Sequence, residues 1–206
     1  MSIDPEHLRN HWWWRPGWQV GRRFYTWHLT FHEDSEVHRM MSAYRAILAD
    51  LDGLDLIPDR WLHLTMQGLG FTDEVSEDDV SAIVEAAQSR LAQQPVFEIA
   101  LRSMSVTPEA VEAFAEPAEP VREVRNAIRQ AIGDVWSTVP EDEDGFTPHV
   151  SVAYSSADRS AAPVIHAVQN ADIPPASARV RSADLIVLHR DNYMYEWDTF
   201  AKVPLG

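Results

Sequence analysis

Two histidines each stand two residues before a hydroxyl: His63 before Thr65, and His149 before Ser151. In an extended chain, residues two apart point to the same side and lie roughly 7 Å apart, so each pair presents an imidazole beside a hydroxyl. Two such pairs facing one another supply a base for an attacking oxygen, an acid for a leaving oxygen and donors for a charged phosphoryl group. Because an unperturbed imidazole titrates near pH ~6.5, one copy can be neutral while the other holds a proton. That combination does phosphoester chemistry with no metal and no cofactor. The spacing alone is weak: with 9 histidines in 206 residues, chance supplies about one such pair, and a third, His28 with Thr30, is also present. The two chosen pairs differ in context. Each lies in a polar stripe opposite an apolar one, after a turn-forming approach (Pro58-Asp59 and Thr147-Pro148) that places the histidine early in its strand.

The elements that must position these groups are legible from periodicity. Residues 24–31 alternate, with Tyr25, Trp27, Leu29 and Phe31 opposite Thr26, His28 and Thr30, as in a half-buried strand. A helix follows from about Ser35, carrying Val37, Met41, Tyr44 and Leu48 at helical spacing, with Gly53 to end it. Residues 61–69 form the first polar-striped strand. Ser76 before three acidic residues marks a helix start, with Val80, Ile83, Val84, Ala87 and Leu91 as its buried stripe. Strands near 97–101 and 111–115 read as a hairpin, Pro120 opens another helix, and residues 146–154 form the second polar-striped strand. A short helix near 159–170 and strands near 179–189 and 193–203 complete a mixed α+β chain. Residues 1–21, with Trp12, Trp13, Trp14 and Trp18, read as an extended arm pinned to a single domain of residues 22–206 by its indoles.

Composition narrows the function classes. The chain has no cysteine, which removes disulfides, thiolate catalysis and cysteine-ligated metals. Its 32 acidic residues against 17 Lys+Arg give a formal charge of −15, which argues against gripping a long nucleic acid and leaves room for a small anionic substrate. No apolar run approaches the roughly 20 residues of a membrane span, and no signal-peptide pattern opens the chain, so a cytoplasmic protein without membrane attachment is expected. Nothing in the sequence sets the oligomeric state.

His63-Leu-Thr65 and His149-Val-Ser151, 86 positions apart, resemble the paired signatures of the 2H phosphoesterase superfamily. Residues 61–71 are similar to its 2′-5′ RNA ligase and cyclic phosphodiesterase branch. The resemblance implies a bilobal α+β fold, two pseudo-symmetric antiparallel sheets flanked by helices around a central groove. It also implies hydrolysis of a 2′,3′-cyclic nucleotide phosphate or a 2′-5′ phosphodiester, or reversible 2′-5′ ligation, in an RNA-processing role on a small nucleotide or RNA terminus. By position, His63 and His149 would be the acid/base pair, and Thr65 and Ser151 the phosphate donors. His149 is assigned as base and His63 as acid, with reversibility exchanging them. The arm has no counterpart in the family pattern.

Around this core, His28 reads either as groove lining or as ordinary strand surface. Trp61 is a base-stacking candidate or a core residue, and Tyr154 reaches the substrate only if a bulge turns it to the side of Ser151. His7, His11, His32, His38, His166 and His189 read as surface or structural. Two other readings compete: a non-catalytic nucleotide-binding module with the same groove, and a metal-dependent hydrolase, for which no His-Glu-x-x-His cluster is present.

Overall fold

The computed structural model describes residues 4–206, and the first three residues of the expected arm lie outside the described residues. In chain order the elements are β1 (His7–Leu8), β2 (Phe24–Thr30), α1 (Ser35–Leu48), β3 (Leu54–Leu56), β4 (His63–Phe71) and α2 (Glu77–Leu91). There follow β5 (Phe97–Val106), β6 (Ala110–Glu116), α3 (Ala118–Val135), β7 (His149–Ser155) and β8 (Arg159–Ser160). The last are α4 (Ala162–Gln169), β9 (Ala176–Val180), β10 (Ser182–His189) and β11 (Glu196–Pro204).

Two antiparallel sheets carry the two motifs. One runs β11-β10-β2-β4 and holds His63 on its edge strand; the other runs β3-β7-β6-β5-β9 and holds His149 next to its edge. Strands β4 and β7 meet where the sheets come together. The lobes are not the two halves of the chain, because β10 and β11 return from the C-terminus to complete the first sheet. Helices cross over as well: α2 and α3 pack on each other and against β11 and β4, while α1 and α4 pack against β9, β7 and β5. Each lobe is thus closed by segments distant in sequence, which ties the two into one cooperative body.

The helices bury the stripes their spacing dictates. Helix α1 buries Val37, Met40, Met41, Tyr44 and Leu48, and α2 starts at Ser76, whose side chain accepts from Asp79 N. Helix α3 buries Val121, Val124, Ile128 and Ile132, and with them Arg125. That guanidinium is spent on carbonyls, donating to Met66 O, Glu143 O and Asp142 O at 2.9 Å each, which fixes the acidic loop after α3 against β4. Two expectations change. Strand β2 is buried on both faces, because His28 lies beneath His63 and Trp197 instead of facing solvent. The strand expected over 179–189 divides at Arg181, the chain leaving the second sheet as β9 and entering the first as β10.

The arm is docked. Its β1 pairs with β8, Trp12 is buried and donates Nε1 to Asp55 at 2.7 Å, and Trp18 packs edge-on against Phe71. Trp13 and Trp14, by contrast, are about half exposed. Trp12→Ala removes the buried ring and its bond to Asp55, and we expect it to lower the unfolding free energy by roughly 3–5 kcal/mol in urea denaturation. A loss below about 1 kcal/mol would mean that the arm is not held on the body.

Candidate active site

Each motif histidine is the first residue of its strand. Before the strand begins the backbone bends, and a carbonyl two residues upstream turns toward the ring. His63 Nδ1 donates to Trp61 O at 2.8 Å, and His149 Nδ1 donates to Thr147 O at 2.8 Å. A carbonyl only accepts, so both rings carry their neutral-state proton on Nδ1, leaving Nε2 as the nitrogen available for chemistry. Both rings line one cavity of about 460 Å³ between the sheets, together with Thr65 and Ser151.

The two histidines differ in burial. His63 is 9% exposed, stacked on His28 with ring centroids 4.3 Å apart and edged by Trp197 at 5.3 Å. Burial pushes its imidazole down to about 4; the bond to Trp61 O opposes this and the charge of nearby His149 adds to it. His149 is more open, and its Nε2 lies 3.5 Å from a carboxylate oxygen of Glu112. Glu112 faces Ser151 across the strand pair and is itself buried, which raises its pKa, while His149 works in the other direction. A proton on His149 Nε2 thus has an anionic partner, and one on His63 has none.

The flanking candidates are placed as follows. His28 lines the cavity beneath His63, with its Nε2 3.3 Å from Thr65 Oγ1, and burial holds its imidazole well below the ordinary value. Tyr154 lines the cavity beside Ser151. The register of β6 against β7 slips between Val111 and Glu112, so that Val152 has no partner, and this bulge brings Tyr154 to the groove side. Burial holds its phenol well above the ordinary value, so it is a donor at neutral pH. Trp61 does not line the cavity; its ring packs on Trp197 at 4.7 Å, and only its carbonyl serves the site. Of the arginines near strands, Arg22 pairs with Asp73 and Glu74, Arg23 with Asp191, and Arg190 lies under the arm, donating to His11 O.

Sequence reasoning missed the contribution of the arm. His11, Arg15 and Trp18 line the cavity, and His11 stacks on Tyr154 at 4.3 Å with its Nε2 3.0 Å from the Tyr195 hydroxyl. Glu109, at the β5–β6 turn, gathers the arm: Oε2 accepts from Arg15 Nη2 at 2.7 Å and lies 3.2 Å from His11 Nδ1, while Oε1 accepts from Trp13 Nε1 at 3.3 Å. Burial, with Arg15 and Arg190 close by, pushes His11 down to about 3. The carboxylates of Glu109, Glu112 and Glu141 all line the cavity, and no spacing rule pointed to them. Among the described residues no three His, Asp or Glu side chains group as metal ligands, and no helix is long and apolar enough to cross a membrane.

The sequence profile described as the 2′-5′ RNA ligase superfamily matches residues 33–192. No curated protein matches the chain. Among solved structures, the chain is similar to TT0787 of Thermus thermophilus, at a TM-score of 0.68 and 17% identity over 88% of this chain and 97% of that one. It is also similar to Escherichia coli LigT complexed with NADP+, at a TM-score of 0.64 and 18% identity over 89% and 98% of the two chains. LigT complexed with 3′-AMP superposes at a TM-score of 0.66, with 17% identity over 89% and 98%.

Three buried neutral histidines bear on acid stability. Their folded pKa values lie below the unfolded value, so between pH ~6.5 and ~4 the unfolded chain binds protons that the folded chain refuses, and stability falls as pH falls. We expect the unfolding free energy to drop from pH 7 to pH 5 by on the order of 2 kcal/mol for each of His11 and His63, with His28 adding in the same direction, and His11→Gln to remove one share. Urea melts at the two pH values check this; equal stability at both contradicts it.

Proposed function

The chain belongs to the 2′-5′ RNA ligase superfamily, and from that premise we propose that it is a metal-independent phosphoesterase acting on a 2′,3′-cyclic nucleotide phosphate or a 2′-5′ phosphodiester. The observation that carries the reading is the matched pair of imidazoles on one cavity, each locked by an upstream carbonyl so that Nε2 is the free nitrogen. Family membership supports a general phosphoesterase activity, and the phosphate ester follows from two acid/base groups flanked by two hydroxyls.

Burial assigns the roles in the opposite sense to the sequence reading. His63, neutral at physiological pH, takes the proton of the attacking water as its oxygen bonds to phosphorus. The bond from phosphorus to one ribose oxygen then breaks, and His149, its proton held against Glu112, protonates that leaving oxygen. The proton gained by His63 returns through solvent. Thr65 and Ser151 hydroxyls donate to the non-bridging oxygens, and the Tyr154 phenol is a third donor on the same wall. When a 5′-hydroxyl replaces water as the oxygen attacking the cyclic phosphate, His63 takes its proton, the bond from phosphorus to O3′ breaks, His149 protonates O3′, and a 2′-5′ linkage is made; cleavage of that linkage runs the same steps backwards with the two histidines exchanged.

Incubating the protein with a 2′,3′-cyclic nucleotide and a 2′-5′ dinucleotide in chelator tests this reading. We expect turnover, lost by a factor of at least ~10³ in His63→Ala and in His149→Ala with folding retained. Rescue only by a divalent ion would move the chain to metal-dependent hydrolysis, and binding without turnover would make it a nucleotide-binding module. Because the base must be unprotonated, kcat/KM should rise with pH through about 4, where His63 loses its proton. A rise centred near 6.5 would return the base role to an exposed imidazole.

A further inference from the structure

A second cavity, of about 640 Å³, opens beside the catalytic one and shares Glu109 with it. Its walls come from the arm and the β8 edge: Arg9, Trp13 and Arg159, with His7 and Asp158. Trp13 is 49% exposed, an unusual state for the largest apolar side chain, and its ring is held by the bond from Nε1 to Glu109. Among the described residues the Arg9 guanidinium pairs with no carboxylate, and Arg159 is anchored on the carbonyl of Asp52. Asp158 spends Oδ1 on the backbone of Asn10 at 2.9 Å. In a chain with a formal charge of −15, two arginines beside an open indole stand out locally.

The two cavities meet at Glu109, which pairs with Arg15. The Arg15 guanidinium lines the catalytic cavity, lies 5.2 Å from the Trp13 ring centroid and is oriented by Glu109. A ligand leaving the catalytic cavity along the arm therefore passes the Arg15–Glu109 ion pair, then an indole, then the guanidiniums of Arg9 and Arg159. That order suits the linking phosphodiester, the base and the next phosphate of a nucleotide chain, since arginine takes phosphate by its planar fork and aromatic rings take any base by stacking.

We propose that this second cavity is a subsite for the nucleotide on the 5′ side of the reacting one, so that a short oligoribonucleotide end is preferred over a free mononucleotide. The inference rests on the phosphoesterase reading for the identity of the first cavity. It also fits the formal charge of −15, which argues against gripping a long nucleic acid.

Calorimetric titration with a ribotrinucleotide 3′-phosphate and with a mononucleoside 3′-phosphate reads the subsite without turnover. The wild-type protein should bind the trinucleotide at least roughly tenfold more tightly, the scale of one stacked base. Trp13→Ala should abolish that preference, Trp13→Phe should keep most of it, Arg9→Ala should weaken it, and all three should bind the mononucleotide like wild type. Equal wild-type affinity for the two ligands, or an equal loss for both in Trp13→Ala, overturns the subsite. Absence of hydrolysis in the turnover assay strikes the parent reading instead and leaves this titration decisive for the subsite.

Discussion

The geometry of the groove depends on one repeated interaction, the hydrogen bond from a histidine Nδ1 to the carbonyl two residues before it. Made once at His63 and once at His149, at the same length, it fixes each ring's tautomer and rotation. Without it an imidazole at a strand start would have two interchangeable nitrogens and a free torsion, and the pair would rarely face one phosphorus together. The bond depends in turn on the backbone before each strand: a 3-10 turn over Asp59–Trp61 leads into His63, and Pro148, whose ring fixes φ, separates Thr147 from His149.

Around this constant the two sides have diverged. One ring is enclosed by His28 and Trp197 and is kept neutral by burial; the other is open and faces a carboxylate. Environment alone thus sets two chemically identical groups apart, and on the proposed reading it makes one the base and the other the acid. The cost falls on stability at low pH, where enclosed neutral rings favour the unfolded chain. Interleaved sheets and crossed helices give the scaffold that can hold such a site, since neither lobe is complete without segments from the other end of the chain.

Much of this was legible in the residues. Alternation of apolar and polar positions located β2, β4 and β7, helical spacing located α1 to α3, and the resemblance of residues 61–71 and of the second motif gave the α+β fold that the two antiparallel sheets and the similar solved structures show. The three-residue β3 escaped because so few residues carry no period, and β9 was merged with β10 because both alternate and only the change of sheet at Arg181 divides them. The acidic wall escaped for a different reason. Glu109, Glu112 and Glu141 come from a turn, a strand and a loop, and only the tertiary register brings them to one cavity. Arg125 did leave a trace, a charge at a buried helical spacing, which signals a side chain that must satisfy carbonyls in the core. The indoles of the arm differ in burial: Trp12 is buried, while Trp13 and Trp14 are about half exposed, Trp13 being tied down by Nε1 alone; identity alone does not tell a buried ring from an offered one.

The central claim is that His63 and His149 present their Nε2 atoms to the same phosphorus. Long-range proton–nitrogen spectra of the histidine rings, recorded while a nucleoside 2′-phosphate is titrated in, measure this directly. The account predicts that both Nε2 resonances move together and saturate at one ligand per chain, while both Nδ1 atoms stay protonated. Movement of only one ring, or a free Nδ1 in either, would contradict it.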